Sequence, residues 1–326
     1  MADRVVYWNG DFVPEAEARL SIYDSALMFG DMVFEMTRSF KRKQFKLREH
    51  LQRLYASMKL VRIPATMTLD QMEEAVLRTI EANRPALRPD DEDRVLIDVS
   101  RGLLGIYQGV VGLRAGPNVV IAVFPLRWTV QGMGRLFDVG INAVVPSQRA
   151  IPAYLMDPKI KNRSRLFYQM ANIEVSEYEG DTNWALLLDP DGFVAEGTGD
   201  NFFIVKNGTV ISPEGRNILR GVSRAYVMDE LCPQLRVPVV ERNFEVYDVA
   251  TADEAFMTGT PFSILPVTSI NRVAIGSGAP GPVTTRLIAK WSENVGVDMV
   301  AQIKQWNAES AAPAAGAPTP YAFRSK

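Results

Sequence analysis

Hydrophobic and polar positions along this chain follow two periods. Residues 5–8 (Val-Val-Tyr-Trp) read as a strand, Asn9-Gly10 as a hairpin turn, and Asp11-Phe12-Val13 as the returning strand. Residues 20–29 lead to Gly30-Asp31, after which 33–40 alternates like a half-buried strand. A turn over 41–44 returns through Phe45-Lys46-Leu47. From residue 48 the period becomes helical. Leu51, Leu54, Tyr55, Met58 and Val61 share one face of a helix over 48–61, with Arg53 among them. His50 opens that helix and reads as a boundary residue without chemistry. A second amphipathic helix is expected over 69–84, turning Met72, Ala75, Val76 and Ile80 inward, and strands follow at 94–100 and 118–124.

Periodicity stops over 127–137 and resumes with a strand at 139–145. A loop with Pro152 and Pro158 precedes a helix over about 165–179, striped by Leu166, Met170, Ile173 and Val175. Strands are expected at 184–188 and 193–195 around the turn Pro190-Asp191-Gly192, and at 201–205 before the turn Asn207-Gly208. A helix over 223–232, strands near 237–240 and 254–258, and a helix over 284–305 complete the pattern. The expected organisation is an α/β (α+β) chain. A small domain spans 1–126, a linker 127–137 and a larger, β-rich domain 138–306. The Ala-, Pro- and Gly-rich tail 307–326 is expected to be disordered.

Composition narrows the chemistry. The 326 residues are 47% hydrophobic and 23% charged, enough for two packed domains. A net charge of −2 with interspersed signs gives no footprint for nucleic acid. No run is long and apolar enough to span a bilayer, and the opening Met-Ala-Asp-Arg-Val-Val-Tyr has no apolar signal region. The single cysteine, Cys232, reads as a packed hydrophobe and fits a reducing cytoplasm. One histidine in the chain argues against a His-rich metal site and against a Ser-His-Asp triad. Any catalytic base is then a lysine, a tyrosine or a carboxylate.

Three stretches could carry such chemistry. In Val194–Ile204, Glu196 stands between two apolar segments, beside Gly197 and Gly199, which allow a tight turn. A carboxylate there is costly to desolvate unless a cation meets it. Lys161 lies in a basic loop before a helix. A desolvated lysine with Lys159, Arg163 and Arg165 nearby is turned toward its neutral, nucleophilic form. Lys159 competes for that role, but Lys161 abuts the helix start. Gly221, Val222 and Ser223 open a helix and form an anion cup, to which Gly259 and Thr260 add an amide and a hydroxyl. The cup suits one phosphate and lacks both the Walker A and the GxGxxG spacing.

A lysine, a buried acid and a phosphate cup without metal ligands describe a pyridoxal 5'-phosphate site. The chain resembles the fold type IV, class IV pyridoxal-phosphate enzymes: branched-chain aminotransferases, D-amino acid transaminases, (R)-amine transaminases and aminodeoxychorismate lyase. The resemblance runs from about residue 5 to residue 300. Its anchors are Trp8-Asn9-Gly10, Phe29-Gly30-Asp31 with Val33-Phe34-Glu35, Glu49-His50-Leu51-Gln52-Arg53-Leu54, Glu196 through Phe203, Leu219 through Arg224, and Gly259-Thr260 with Leu265-Pro266-Val267. It implies a two-domain fold, a homodimer and a transaminase working through a lysine Schiff base. Lys161 then matches the Schiff-base lysine and Glu196 the partner of the pyridine nitrogen. Arg53, Val222, Ser223 and Thr260 match positions around the phosphate. Leu219 matches the residue on the ring face, and Phe34 an aromatic of the substrate pocket.

The chain departs from the branched-chain pattern at one turn. That subfamily is expected to offer two backbone amides to the substrate carboxylate after the Gly-Thr, but here Pro261 has no N–H. In the stretch 101–115, Arg101, Tyr107 and Arg114 have no clear counterpart. Met156-Asp157-Pro158 resembles the amine transaminases. The expectation is therefore a relaxed donor preference, toward (R)-amines or D-amino acids, with a 2-oxo acid as acceptor. Alternatives are a branched-chain L-amino acid aminotransferase, an aminodeoxychorismate-type lyase, a non-catalytic cofactor- or metabolite-binding protein, and a phosphosugar-binding domain.

Overall fold

The computed structural model describes residues 3–109 and 112–309. The chain divides into two compact units. One comprises Met1–Trp128 with Ile160–Arg165, and the other Thr129–Lys159 with Leu166–Lys326. Residues 127–137, expected as a linker without periodicity, carry two short helices, Arg127–Val130 and Leu136–Val139.

The first unit is built on an antiparallel six-stranded sheet of order β2-β1-β6-β5-β3-β4. Its strands are β1 (Val5–Trp8), β2 (Asp11–Pro14), β3 (Met32–Phe40), β4 (Lys43–Gln44), β5 (Asp93–Ser100) and β6 (Asn118–Pro125). Asn9 and Gly10 both take positive φ, as the turn between β1 and β2 requires. The pleat gives the sheet two faces. Val33, Val95, Ile97, Val99, Ile121 and Val123 face the helices Leu47–Leu60 and Leu69–Asn83 and pack on Leu51, Leu54, Met58, Met72, Val76 and Ile80. Leu51 and Leu54 are fully buried, each contributing about 1.5–3 kcal/mol of transfer free energy. Phe34, Met36 and Arg38 of β3, paired with Asp98, Leu96 and Arg94 of β5, form the other face. β3 is buried almost throughout rather than on one side only. The return expected at 45–47 is shorter and earlier, because Lys46 turns to positive φ and starts a helix.

The second unit holds a nine-stranded sheet. Its strands are β7 (Ile141–Val144), β8 (Asn183–Leu188), β9 (Val194–Gly197), β10 (Asn201–Lys206), β11 (Thr209–Ser212), β12 (Val239–Glu241), β13 (Glu254–Gly259), β14 (Ser263–Ile270) and β15 (Val273–Ala274). The order β12-β11-β10-β13-β14-β7-β8-β9 closes on itself, because β9 also pairs with β10 at Glu196 and Asn201. β14 has no counterpart in the sequence pattern. Pro266 argues against a central strand, yet it is tolerated here just before pairing with β7 begins at Val267. The helix expected over 165–179 spans Leu166–Ser176 and buries Ala171 and Val175, while Leu166 and Met170 stay exposed. The helix expected over 284–305 is two helices, Pro282–Val295 and Met299–Ala308. Gly296 closes the first in the left-handed conformation, and Asp298 caps the second. Of the tail expected to be disordered, residues 310–326 lie outside the described residues.

Candidate active site

Lys161 does not abut a helix, as its surroundings in the sequence suggest. It lies in an extended strip laid along the edge of β3, five residues before the helix that begins at Leu166. Phe34 N donates to Lys161 O at 3.0 Å, and Arg163 N donates to Met32 O at 2.8 Å. Lys161 N donates to Ser57 Oγ at 3.2 Å, so the backbone is held from two directions. The Lys161 ammonium sits over the Phe34 ring, 4.7 Å from its centroid, and the Arg163 guanidinium at 3.8 Å. Arg163 also grips Asp98 with two hydrogen bonds of 2.9 and 3.1 Å. Lys159, the competitor, is paired with Asp157 at 2.8 Å and donates to Arg216 O at 3.1 Å.

Arg53 is fixed by a partner that sequence pattern does not reveal. Glu35 is fully buried, and Arg53 Nε and Nη2 donate to its two oxygens at 2.6 and 2.8 Å. His50 is no boundary residue. It is 2% exposed, with Nδ1 2.8 Å from Glu35 Oε2. An acceptor-only carboxylate selects the tautomer with the proton on Nδ1. Burial alone would raise the Glu35 carboxyl, but the charge and hydrogen bonds of Arg53 and His50 outweigh it and hold it well below the usual carboxylate range. Burial pushes His50 down and keeps it neutral, against the opposing pull of Glu35.

Glu196 is buried as its apolar flanks predict, and polar donors from three segments meet it. Tyr168 OH donates to Oε1 at 2.9 Å, and Asn201 Nδ2 and Leu219 N each donate to Oε2 at 3.0 Å. Gly197 N donates to Asp200 O at 3.0 Å, closing the tight turn from β9 to β10. Asn201 links Glu196 to the cup, because its Nδ2 also donates to Leu219 O at 2.8 Å. Gly221 follows, and Val222 and Ser223 open a helix whose first amides no side chain caps. Gly259 and Thr260 lie just beyond the Asn201–Thr258 pair of β10 and β13, and Pro261 sits in the loop from β13 to β14. Tyr168 and Asn201 escape a reading of spacing. The polar Asn201 directly after a Gly-Thr-Gly-Asp turn, at the start of an apolar strand, is the one signal that could find it.

Gly221 is required for space rather than for its backbone angles. A Cβ there would lie 2.1 Å from Asn201 Oδ1, on a side chain already held at Nδ2. Gly221→Ala is expected to displace Asn201 and destabilise the protein by about 1–3 kcal/mol. It is also expected to weaken cofactor retention, measured as the fraction of bound cofactor surviving dialysis. An unchanged thermal midpoint and unchanged retention would contradict this.

The remaining candidates are engaged elsewhere in their own unit. Tyr107 packs against Tyr23 with ring centroids 4.7 Å apart and the rings tilted by 34°. Arg101 holds Asp31 at 2.5 and 3.1 Å and donates to the carbonyls of Val61 and Arg62. Arg114 donates to Pro117 O. Among the described residues no group of three or more His, Cys, Asp or Glu could hold a metal ion, and no helix is long and apolar enough to cross a membrane.

The family model for amino-transferase class IV matches residues 32–270. A putative branched-chain-amino-acid aminotransferase of Methanocaldococcus jannaschii is 36% identical over 289 residues, covering 88% of this chain and 95% of that protein. The branched-chain-amino-acid aminotransferase of Escherichia coli is 30% identical, with 86% of this chain and 90% of that protein covered. Among solved structures, a branched-chain aminotransferase of Thermobaculum terrenum in its pyridoxal-phosphate form superposes with a TM-score of 0.77 at 29% identity, covering 94% of this chain and 97% of that one. The chain therefore belongs to the class IV aminotransferases: it is a pyridoxal 5'-phosphate-dependent transaminase of fold type IV, moving an amino group between an amino acid and a 2-oxo acid.

Proposed function

We propose that Lys161 carries the cofactor and moves the substrate proton, and that the donor is a branched-chain L-amino acid. Glu196 meets the pyridine nitrogen, Leu219 lies on the ring face, and Arg53, Val222, Ser223 and Thr260 hold the phosphate. Phe34 lines the substrate side. The observation that carries the site is the buried Glu196 carboxylate, tied through Asn201 to Leu219 and the uncapped helix start at Gly221. An acid, a hydroxyl and free amides in one place fit an aromatic cation bearing a phosphate. When bound, the cofactor supplies the electron sink that stabilises a carbanion at the substrate Cα.

The residues divide the remaining work. The Glu196 carboxylate, oriented by hydrogen bonds from Tyr168 and Leu219, would favour a proton on the ring nitrogen opposite. Lys161 takes the proton from Cα and returns it to the other side of the transfer. Arg53, locked by Glu35, presents a fixed fork to phosphate oxygens. The same reading takes the working form as a homodimer in the cytoplasm. Ile22, Leu27, Met28 and Phe29 are 73%, 61%, 51% and 65% exposed in the first unit, an apolar cluster suited to a second copy.

The donor class rests on the relatives, whose names all specify branched-chain substrates. Preference for an (R)-amine or a D-amino acid rests on Pro261 and on Met156-Asp157-Pro158, and it is the outcome to test against. Steady-state kcat/KM for L-leucine, D-alanine and both enantiomers of 1-phenylethylamine decides between them. L-leucine is expected to lead by at least roughly 10-fold. A lead for D-alanine or the (R)-amine would overturn the donor assignment. Borohydride fixation and peptide mapping test the lysine separately, and a label on Lys159 would move the chemistry two residues.

A further inference from the structure

The face of the first unit's sheet that carries Phe34 also carries two buried arginines. β3 and β5 are paired so that Phe34 lies opposite Asp98, Met36 opposite Leu96 and Arg38 opposite Arg94. Alternation of the pleat puts all six side chains on the side away from the two packing helices. At one end of this face, Lys161 and Arg163 stand over Phe34, and Arg163 has its carboxylate in Asp98. Toward the other end, like charges lie directly across the two strands, an arrangement that costs stability unless an anion intervenes.

The two arginines differ in how they are held. Arg38 is 2% exposed, donates from Nε to Ser39 O at 3.1 Å and stacks on Phe40 at 3.8 Å. Glu92 acts on it electrostatically, and the same carboxylate accepts from Ser39 Oγ, Lys41 N and Arg42 N. Arg94 is 6% exposed, and its Nη2 reaches only the weak acceptor Met36 Sδ, at 3.4 Å. Its Nε and Nη1 are buried and meet no hydrogen-bond acceptor among the described residues. Burial lowers Arg94 to about 10. Native proteins rarely leave a buried guanidinium in this condition without a reason in function.

We propose that Arg94, backed by Arg38, is a carboxylate-binding site for the amino acid and 2-oxo acid substrates, on the same sheet face as Lys161 and Phe34. The inference rests on the assignment of Lys161 and Phe34 to the substrate. A guanidinium whose Nη edge meets only a thioether can present Nη1 and Nη2, which lie in one plane, to the two oxygens of a carboxylate. Arg38 adds positive charge and fixes the strand partner. The site explains how a chain with Pro261, and with Arg101 and Arg114 held by their own partners, still grips an acid.

The test uses the holoenzyme and two probes that differ only in charge, 4-methylvalerate and its uncharged amide, with binding read from the absorbance of the bound cofactor. Arg94→Leu is expected to weaken 4-methylvalerate binding by roughly 30- to 100-fold and to leave the amide within about 3-fold. Arg94→Lys is expected to fall between, and Arg38→Met to lose roughly 10-fold for the acid alone. The thermal midpoint of Arg94→Leu is expected to hold or rise, since an uncompensated buried charge has been removed. Equal losses for both probes, no loss for either, or a lowered midpoint that Arg94→Lys restores without restoring acid binding would overturn the proposal. Should Arg94→Leu not fold, the acid-to-amide ratio in Arg94→Lys and Arg38→Met decides alone, and an unchanged ratio is fatal. Binding of chloride or phosphate in place of the acid, with the acid unaffected by either variant, would likewise overturn it. Failure of Lys161 to carry the cofactor would bring down the underlying assignment; a labelled Lys161 with unchanged acid binding in the Arg94 variants would bring down this inference alone.

Discussion

Lys161→Ala is expected to lower the transamination rate by roughly 10,000-fold, the range that a positioned proton-transfer group supplies. The fold should survive. Lys161 holds to β3 through its backbone, by Phe34 N donating to its carbonyl and its own amide donating to Ser57 Oγ, and alanine keeps both bonds. What disappears is the amine 4.7 Å from the Phe34 ring centroid. Single-turnover rates with L-leucine, together with circular dichroism to check folding, make the measurement. A rate within about 10-fold of the parent would remove Lys161 from the chemistry. Rescue of the rate by added methylamine would strengthen the case, because a free amine can then occupy the space.

The second large effect belongs to Glu35. Glu35→Leu leaves Arg53 and His50 without the carboxylate that joins them, and breaking a buried pair on one side costs about 3–5 kcal/mol. For a chain of this size that corresponds to a fall of roughly 10 °C in the thermal midpoint, with loss of cofactor phosphate affinity if Arg53 swings away. The pH dependence has a definite sign. The folded-state value of Glu35 is depressed, so its contribution is present above the ordinary carboxylate value and is lost as pH falls toward the folded one. His50 is also depressed, so the unfolded chain takes up its proton first, and stability falls as pH drops below about 6.5. Both groups therefore weaken the fold on acidification. Thermal midpoints at neutral and mildly acid pH check this, and a flat profile together with a Glu35→Leu midpoint within about 2 °C of the parent would refute it.

How much of this could be read from the chain depends on the range of each interaction. The helices over Leu47–Leu60 and Leu69–Asn83 are legible because Leu51, Leu54 and Met58, and Met72, Val76 and Ile80, repeat at a period that local geometry alone sets. The burial of Glu196 is legible from its apolar neighbours. Its donors are not, since Tyr168 and Leu219 lie 28 and 23 residues away. His50 looked at alone is a residue near a helix start; only the pairing of β3 with its helix brings Glu35 to it. β14 stays hidden behind Pro266, a strand breaker in general that is harmless where a neighbouring strand has not yet begun to pair. The break at Gly296 and Asp298 is written in two adjacent caps, but the apolar stripe on both sides masks it. Leu166 and Met170 show the reverse failure, because helical spacing cannot distinguish a stripe that packs inward from one left at the surface.

The strip Ile160–Arg165 belongs by its contacts to the first unit, although the chain on either side of it belongs to the second. A truncated polypeptide ending at Trp128 would contain every strand of the six-stranded sheet and still be incomplete. The amide of Phe34 and the carbonyl of Met32, which this strip caps in the whole protein, would face water as raw hydrogen-bonding edge. Such an edge recruits other chains, so that fragment should self-associate, and adding the hexapeptide 160–165 in trans should restore its solubility.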